Sequence, residues 1–299
     1  MSNATEQIIV VPVYSSMLSE FERISLRQAG KVLGRYSFAL VTSKDVDTRD
    51  HEELLGRCQV FPRRCLFEPA CFGSIEAYNR LLISRQFYQE FRKHKYMLIL
   101  QLDAFVFRDE LQEWCDRNYD YIGAPWMEGM HAASMDGRYV GVGNGGFSLR
   151  KIESSLRVLR SLSYLERPRE VFEMFRRDFR IKPLRSFAGL IKRLTVVNNS
   201  FSAFNDFSYN EDDFWGRLMP RNFKWFKVPE AKGALSFSME VCPRRMFDDN
   251  DRKLPFGCHA WWKYDLEFWR PYIQAEGHDL GGDTKVSNGH NRLKDSPTV

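Results

Sequence analysis

Paired cysteines are missing from this 299-residue chain: none of its six (Cys58, Cys65, Cys71, Cys115, Cys242, Cys258) has C-x-x-C spacing. That argues against a zinc knuckle and leaves free thiols, which suit a reducing cytosol. Long hydrophobic runs are missing too. No apolar segment of signal-peptide type opens the sequence, and none approaches the ~20 residues that cross a bilayer. No internal repeat is visible. Net charge is low: 44 basic and 39 acidic residues leave +5, too little to argue for nucleic acid as a partner.

What remains is ordinary globular material, 43% hydrophobic and 28% charged. The length suits one large domain or two smaller ones. Aromatics are abundant at 14%. Rings fill cores, and they also line carbohydrate and nucleotide sites.

The pattern along the chain alternates. "IIVVPVY" (Ile8 to Tyr14) is a short β-branched run and predicts a buried first strand. In "SEFERISLRQAGKVLG", Ser19 is a plausible N-cap, Glu22 completes a capping box, and Gly34 closes the periodic stretch, so a helix is expected. "YSFALVTS" predicts a second strand. Strand, helix, strand in this rhythm implies a parallel sheet with helical crossovers. "SIEAYNRLLISRQFYQEFRKH" (Ser74 to His94) predicts one long amphipathic helix. It leads into "YMLILQLDAFVF" (Tyr96 to Phe107), an apolar strand holding a lone carboxylate, Asp103. A buried Asp is costly unless something pairs with it. "YDYIGAPW" predicts another strand, and "MEGMHAASMDGRYVGVGNGG" a loop. "FSLRKIESSLRVLRSL" predicts a strand edge or turn, then a helix. "KWFKVPEAKGALSFSME" suggests further strands, and "LPFGCHAWWKYD" a loop. Residues 1–7 are expected to be a tag or a disordered start, 8–275 one domain, and 276–299 a polar, disordered tail.

Three segments carry candidate chemistry. "VGVGNGG" (Val140 to Gly146) lies in the wrong context for a dinucleotide fingerprint, which should follow a first strand and open a helix. Its glycines either make a flexible loop or let the backbone approach a ligand. "NEDDFWG" puts Glu211, Asp212 and Asp213 together. They suit a helix N-terminus, and Phe214 and Trp215 would raise the basicity of a carboxylate that acts as general base. "PFGCHAW" holds His259 in a loop. A lone His is more often structural, but with a distant carboxylate and a diphosphate it can share a divalent cation.

In order, "PVY…FERISLRQ", "AYNRLL", "LILQLDAFVF", "YDYIGAPW", "VGNGGFSLR", "NEDDFWG" and "PFGCHAW" resemble a family of bacterial GT-A-type proteins found near polysaccharide loci. That family is catalogued mainly as a domain of unknown function (DUF5672-like). The resemblance covers about Ile8 to Trp269. It implies an α/β, GT-A-like nucleotide-diphospho-sugar transferase fold, with a mainly parallel central sheet flanked by helices. It also implies a nucleotide-sugar donor, UDP-sugar favoured, and Mn²⁺ or Mg²⁺. The triplet Gln101-Leu102-Asp103 matches the Asp-x-Asp motif of such enzymes, with Gln in place of the first acid, so metal dependence is in question. Asp103 and His259 are the implied metal ligands. Asp212 is the implied base and Glu211 an acceptor-binding carboxylate. Asn144, Gly145 and Gly146 approach the donor sugar, while Pro12, Tyr14, Tyr78 and Asn79 fall near nucleobase and ribose. For Tyr14, stacking on the base and capping the sheet are equal alternatives.

The implied reaction is transfer of a sugar to a glycan or lipid-linked acceptor in surface polysaccharide synthesis, with inversion at the anomeric carbon. The alternative is a GT-A-like protein that binds glycan or nucleotide without catalysis. A methyltransferase using "GVGNGG" fails on context. Residues 151–209 are expected to form a helical, basic insertion or acceptor lobe. Within it, 176–194 alternates apolar and basic residues, as in an ordinary surface helix pair broken at Pro183 or in an element lying on an anionic membrane. The expected place is the cytoplasm, with peripheral contact at the inner membrane through that stretch.

Overall fold

The computed structural model describes residues 6–129, 132–162, 168–179, 187, 190 and 210–281. Its strands are β1 (Gln7–Pro12), β2 (Ser37–Thr42), β3 (Arg63–Leu66), β4 (Tyr96–Leu100), β5 (Phe105–Val106), β6 (Tyr121–Ile122), β7 (Pro125–Met127), β8 (Tyr139–Val142), β9 (Phe147–Lys151), β10 (Ser238–Met239) and β11 (Gly257–Cys258). The main sheet has the order β3-β2-β1-β4-β9-β6. From β3 to β4 every pairing is parallel. Strand β9 alone runs against its neighbours β4 and β6.

Strand β1 is buried over its whole length. Ile9 and Val11 belong to one apolar cluster and Ile8 and Val10 to another, so the two-residue period of a strand feeds a core on each face. A third cluster surrounds a small sheet of order β10-β11-β5. The first helix, α1 (Glu20–Leu33), carries the anticipated capping box: Ser19 Oγ accepts from the Glu22 amide, and the Glu22 carboxylate accepts from the Ser19 amide. Helix α2 (Arg49–Gly56) follows β2.

Several sequence expectations need correction. The stretch Ser74 to His94 is two helices, α3 (Ile75–Leu82) and α4 (Arg85–Glu90). Ser84 breaks it by capping the second: its Oγ accepts from Phe87 N at 3.2 Å. The strand read through Phe107 ends at Leu100, and Asp103 sits in the turn before β5. Between Lys224 and Glu240 only Ser238–Met239 is strand, and Ala231–Ala234 is a helical turn. The 127–146 loop contains β8, paired with β7, and the loop read at 254–265 contains β11. Residues 276–281, expected to be disordered, pack on α1: Gln28 Nε2 donates to Glu276 Oε2 at 3.1 Å, Gln28 Oε1 pairs with His278 Nε2 at 2.8 Å, and Leu280 is buried.

After β9 come α6 (Ile152–Leu159) and α7 (Pro168–Phe179), α5 (Leu111–Asp116) lying earlier, before β6. The supposed membrane-contact stretch 176–194 lies mostly outside the described residues. Among those described, no helix is long and apolar enough to cross a membrane.

The topology marks one edge of the sheet as the candidate place for a ligand. In parallel sheets, ligands sit at the carboxyl ends of the strands. Leu100, at the end of β4, pairs with Phe147 at the start of β9. Because β9 is reversed, the glycine loop that precedes it lands on the same edge as the turn that follows β4.

Candidate functional site

Five segments distant in sequence meet at that edge: 101–103, 144–146, 211–212, 240 and 259–263. The first two are clamped by Gln101 N donating to Gly146 O at 2.7 Å. The glycine loop is held by its own Asn144, whose Oδ1 accepts from Gly146 N at 3.0 Å and Phe147 N at 3.3 Å. Asn144 has φ +76, and Asn tolerates this left-handed conformation better than most residues. The two glycines are required by what lies against them. A Cβ on Gly145 would stand 2.0 Å from Glu211 Oε1, and one on Gly146 would stand 2.0 Å from His259 Nε2. One dipeptide therefore backs on both the acidic segment and the histidine.

Asp103 has found its partners. Its Oδ1 lies 3.0 Å from His259 Nε2, and its Oδ2 accepts from Lys263 Nζ at 2.7 Å. Burial works to raise its carboxyl, but His259 and Lys263 outweigh it and hold the group well below the usual carboxylate range. His259 is gripped from both sides, with Nδ1 2.8 Å from Glu240 Oε1. Burial would lower the ring, yet the Asp103 and Glu240 carboxylates raise it to about 10. The next residue, Ala260, has φ 50, a strained setting that costs about 1–3 kcal/mol and clusters at functional sites.

The acidic segment is a helix start, Glu211–Asp213, running straight into a π-helical turn, Phe214–Leu218. Such turns recur at functional sites. Asp212 Oδ2 accepts from Asn144 N at 2.9 Å and Oδ1 from Asp213 N at 2.9 Å. Burial, then the neighbouring Glu211 charge, push it up to about 7. Glu211 is 2% exposed and its Oε1 is committed to Arg150 Nη2 at 2.8 Å. Burial raises the Glu211 carboxyl, and the Arg150 guanidinium pulls it part of the way back. Glu211 Oε2 and Asn144 Nδ2 are buried with no hydrogen-bond partner among the described residues. One acceptor and one donor thus await something.

The remaining expected site residues are more scattered. Pro12 is buried at the end of β1, paired with Val41. The Tyr14 ring packs edge-on against Tyr78 at 5.2 Å and Phe72 at 6.1 Å. Burial and the neighbouring Tyr78 hold its hydroxyl well above the ordinary range. Asn79 Nδ2 donates to Asn210 Oδ1 at 3.1 Å, which links α3 to the acidic segment. Sequence reasoning missed Glu240, Lys263 and Arg150. Only Lys263 left a signal, as a cation four residues after the candidate histidine.

The residues fit a divalent ion in part. Among the described residues no three His, Cys, Asp or Glu side chains form a metal-binding group. The pair Asp103 Oδ1 and His259 Nε2 is joined by an amide oxygen, Gln101 Oε1, 3.3 Å from the same nitrogen. Neighbouring ligands about 2.1 Å from an octahedral ion stand about 3 Å apart, so the two separations from Nε2, 3.0 and 3.3 Å, are compatible with one ion. The amide lowers the anionic charge of the set by one. Lys263 pairs with the other Asp103 oxygen, and Oδ1 is the oxygen turned to His259.

The model of the family described as "Protein of unknown function (DUF5672)" matches residues 63–259. No curated protein matches the chain. Among solved structures, the chain is similar to the galactosyltransferase LgtC in complex with donor and acceptor sugar analogs. That likeness has 11% identity, 90% coverage of this chain and 95% of that one, and a TM-score of 0.50. Weaker likenesses are mouse xyloside xylosyltransferase 1 (10% identity, 85% and 97% coverage, TM-score 0.44) and a glycosyltransferase involved in glycosylation of the major capsid of PBCV-1 (12% identity, 90% and 98% coverage, TM-score 0.41). The likeness to LgtC identifies the fold as GT-A type.

Proposed function

The chain belongs to the DUF5672 family, and from that premise and its site we propose that it is a glycosyltransferase using a nucleotide-diphosphate sugar. One observation carries the reading. The Gly145–Gly146 step lies against Glu211, whose neighbour Asp212 is a carboxylate poised near neutral pH, and against His259, which holds Asp103. A base and a diphosphate-binding cluster thus flank one closely approachable backbone.

In this reading Asp212 takes the proton of an acceptor hydroxyl. The hydroxyl oxygen bonds to the anomeric carbon as the bond from that carbon to the diphosphate oxygen breaks, and the nucleoside diphosphate leaves. Configuration inverts. A general base works best with a pKa near the operating pH, and burial beside Glu211 gives Asp212 such a value. The two N–H groups on its oxygens keep it aimed. Asn144 Nδ2 and Glu211 Oε2 suit hydroxyl groups of a sugar. Lys263 places a positive charge where the leaving diphosphate gathers negative charge. Asp103, His259 and Gln101 would hold Mn²⁺ or Mg²⁺, which supplies further charge neutralisation for the leaving group. Tyr14, half-buried and edge-on to the buried Tyr78, is the ring that would meet a uracil-like base. The acceptor is a glycan or a lipid-linked sugar.

A second reading rests on Gln101. An amide where an acid is expected weakens the hold on an ion, and this favours a protein that binds glycan or nucleotide without turnover.

A thermal-shift panel with UDP, GDP, ADP and CDP, each with Mn²⁺ or with EDTA, tests the proposal. The expected result is a rise in melting temperature with one nucleotide, largest with Mn²⁺. A shift that survives EDTA keeps the transferase and removes the ion. No shift with any nucleotide overturns the donor assignment.

A further inference from the structure

We propose that Glu240 is a positioning residue that sets the His259 ring for a divalent ion. The inference rests on the metal-assisted form of the reading above. Nothing in the sequence motifs marks Glu240, yet the register of the small sheet delivers it. Strands β10 and β11 are parallel, with Met239 opposite Cys258, and His259 N donates to Met239 O at 3.1 Å. One rung further along, Glu240 stands beside His259. Strands β11 and β5 are antiparallel, with Cys258 opposite Phe105. The same continuation brings the turn holding Asp103 against the other side of His259. Three short strands therefore line up Glu240, His259 and Asp103.

The side chains complete the line. Glu240 Oε1 lies 2.8 Å from Nδ1, and Asp103 Oδ1 lies 3.0 Å from Nε2. With Nδ1–H donated to Glu240, Nε2 is the nitrogen turned to Asp103 and Gln101. Metal-binding histidines use this arrangement: the far N–H goes to a carboxylate, which fixes the ring and its tautomer. The Glu240 side chain is 13% exposed, so water competes little for that bond. Gly146 bounds the ring at Nε2, and Glu240 is the polar tie at the other nitrogen.

The test is Mn²⁺ binding by the full chain, read as loss of the free-ion electron paramagnetic resonance signal. The proteins are wild type, Glu240→Gln, Glu240→Ala and Asp103→Asn. Glu240→Gln keeps volume and an acceptor oxygen but loses the charge. Loss of such an outer partner typically weakens metal affinity about 10–100-fold. We expect weakening within that range for Gln, more for Ala, and loss of binding for Asp103→Asn, with circular dichroism unchanged for Gln. A purely structural Glu240 would lower the melting temperature of the variants and leave the Mn²⁺ affinity of folded protein alone. That result overturns the proposal while the metal site stands. No Mn²⁺ binding by wild type overturns both. A nucleotide shift that persists in EDTA would then show that the transferase reading had survived without them.

Discussion

Burial and the Glu211 charge raise Asp212, whereas two backbone N–H groups lower it, and the first pair wins by enough to put the group at about 7. A base must be deprotonated to act. Turnover should therefore fall as pH drops through about 7 and level off above it, and a kcat/KM profile checks this. Asp212→Asn is expected to reduce turnover about 10²–10⁴-fold, the usual worth of a positioned base, with nucleotide binding near normal. Wild-type turnover from that variant would place the base elsewhere. Arg150 makes a different kind of statement. It is fully buried, bonds Glu211, Ser148 and Tyr88, and compensates a carboxylate that water cannot reach. Arg150→Met leaves that carboxylate alone, and removing one partner of a buried pair costs about 3–5 kcal/mol. Urea unfolding measures it. The acids were legible in the sequence because they cluster. Arg150 was not, since its basic side chain enters the core from a strand where the pattern looked half-exposed.

At the scale of elements, local chemistry was readable where it is local. Ser19 and Glu22 announce their helix three residues apart, and Ser19→Ala should cost about 1 kcal/mol in the same unfolding experiment. Ser84 carried a similar signal, overlooked because the apolar period runs on through Ile83. Strands β5, β10 and β11 are two residues each, too short for any period to show. Their identity comes from pairing: Val106 lies opposite Gly257, far outside any window of sequence, and Gly257 lies opposite Ser238. Glu240 was hidden because it follows a strand of only two residues. The glycine loop was visible, but what it touches was not. Gly146→Ala must displace His259 or shift the loop, since the added carbon would overlap Nε2. We expect that substitution to weaken Mn²⁺ binding, read by the same resonance titration, more than Gly141→Ala, whose nearest obstacle is a Trp126 ring carbon at 3.2 Å.

For the whole molecule, the parallel rhythm of the first half followed from alternating buried runs and capped helices, and it led correctly to a mostly parallel central sheet, at whose carboxyl edge the candidate site residues gather. The reversal of β9 was not legible. A five-residue strand that alternates apolar and polar positions, FSLRK, reads the same in either direction, and its sense is set by which end the rest of the chain leaves free. That reversal closes the site, bringing a loop from before a strand to join turns from after strands. The central sheet and the β10-β11-β5 sheet both contribute to the edge, so a ligand bound there engages the fold as a unit. A nucleotide at 100 times its Kd would add about 2.7 kcal/mol to the stability of the folded state, which the thermal-shift panel would register as a single shifted transition.

The paired glycines also constrain how this protein can vary by descent. Position 145 is tied to the size of residue 211, and position 146 to that of residue 259. A side chain gained at 146 is accommodated only if His259 or the loop gives way, and one gained at 145 only if the Glu211 carboxylate does. Such an exchange is easier when both members of a pair change together. Residues with no side chain at all would thus be inherited jointly with the polar ones they face.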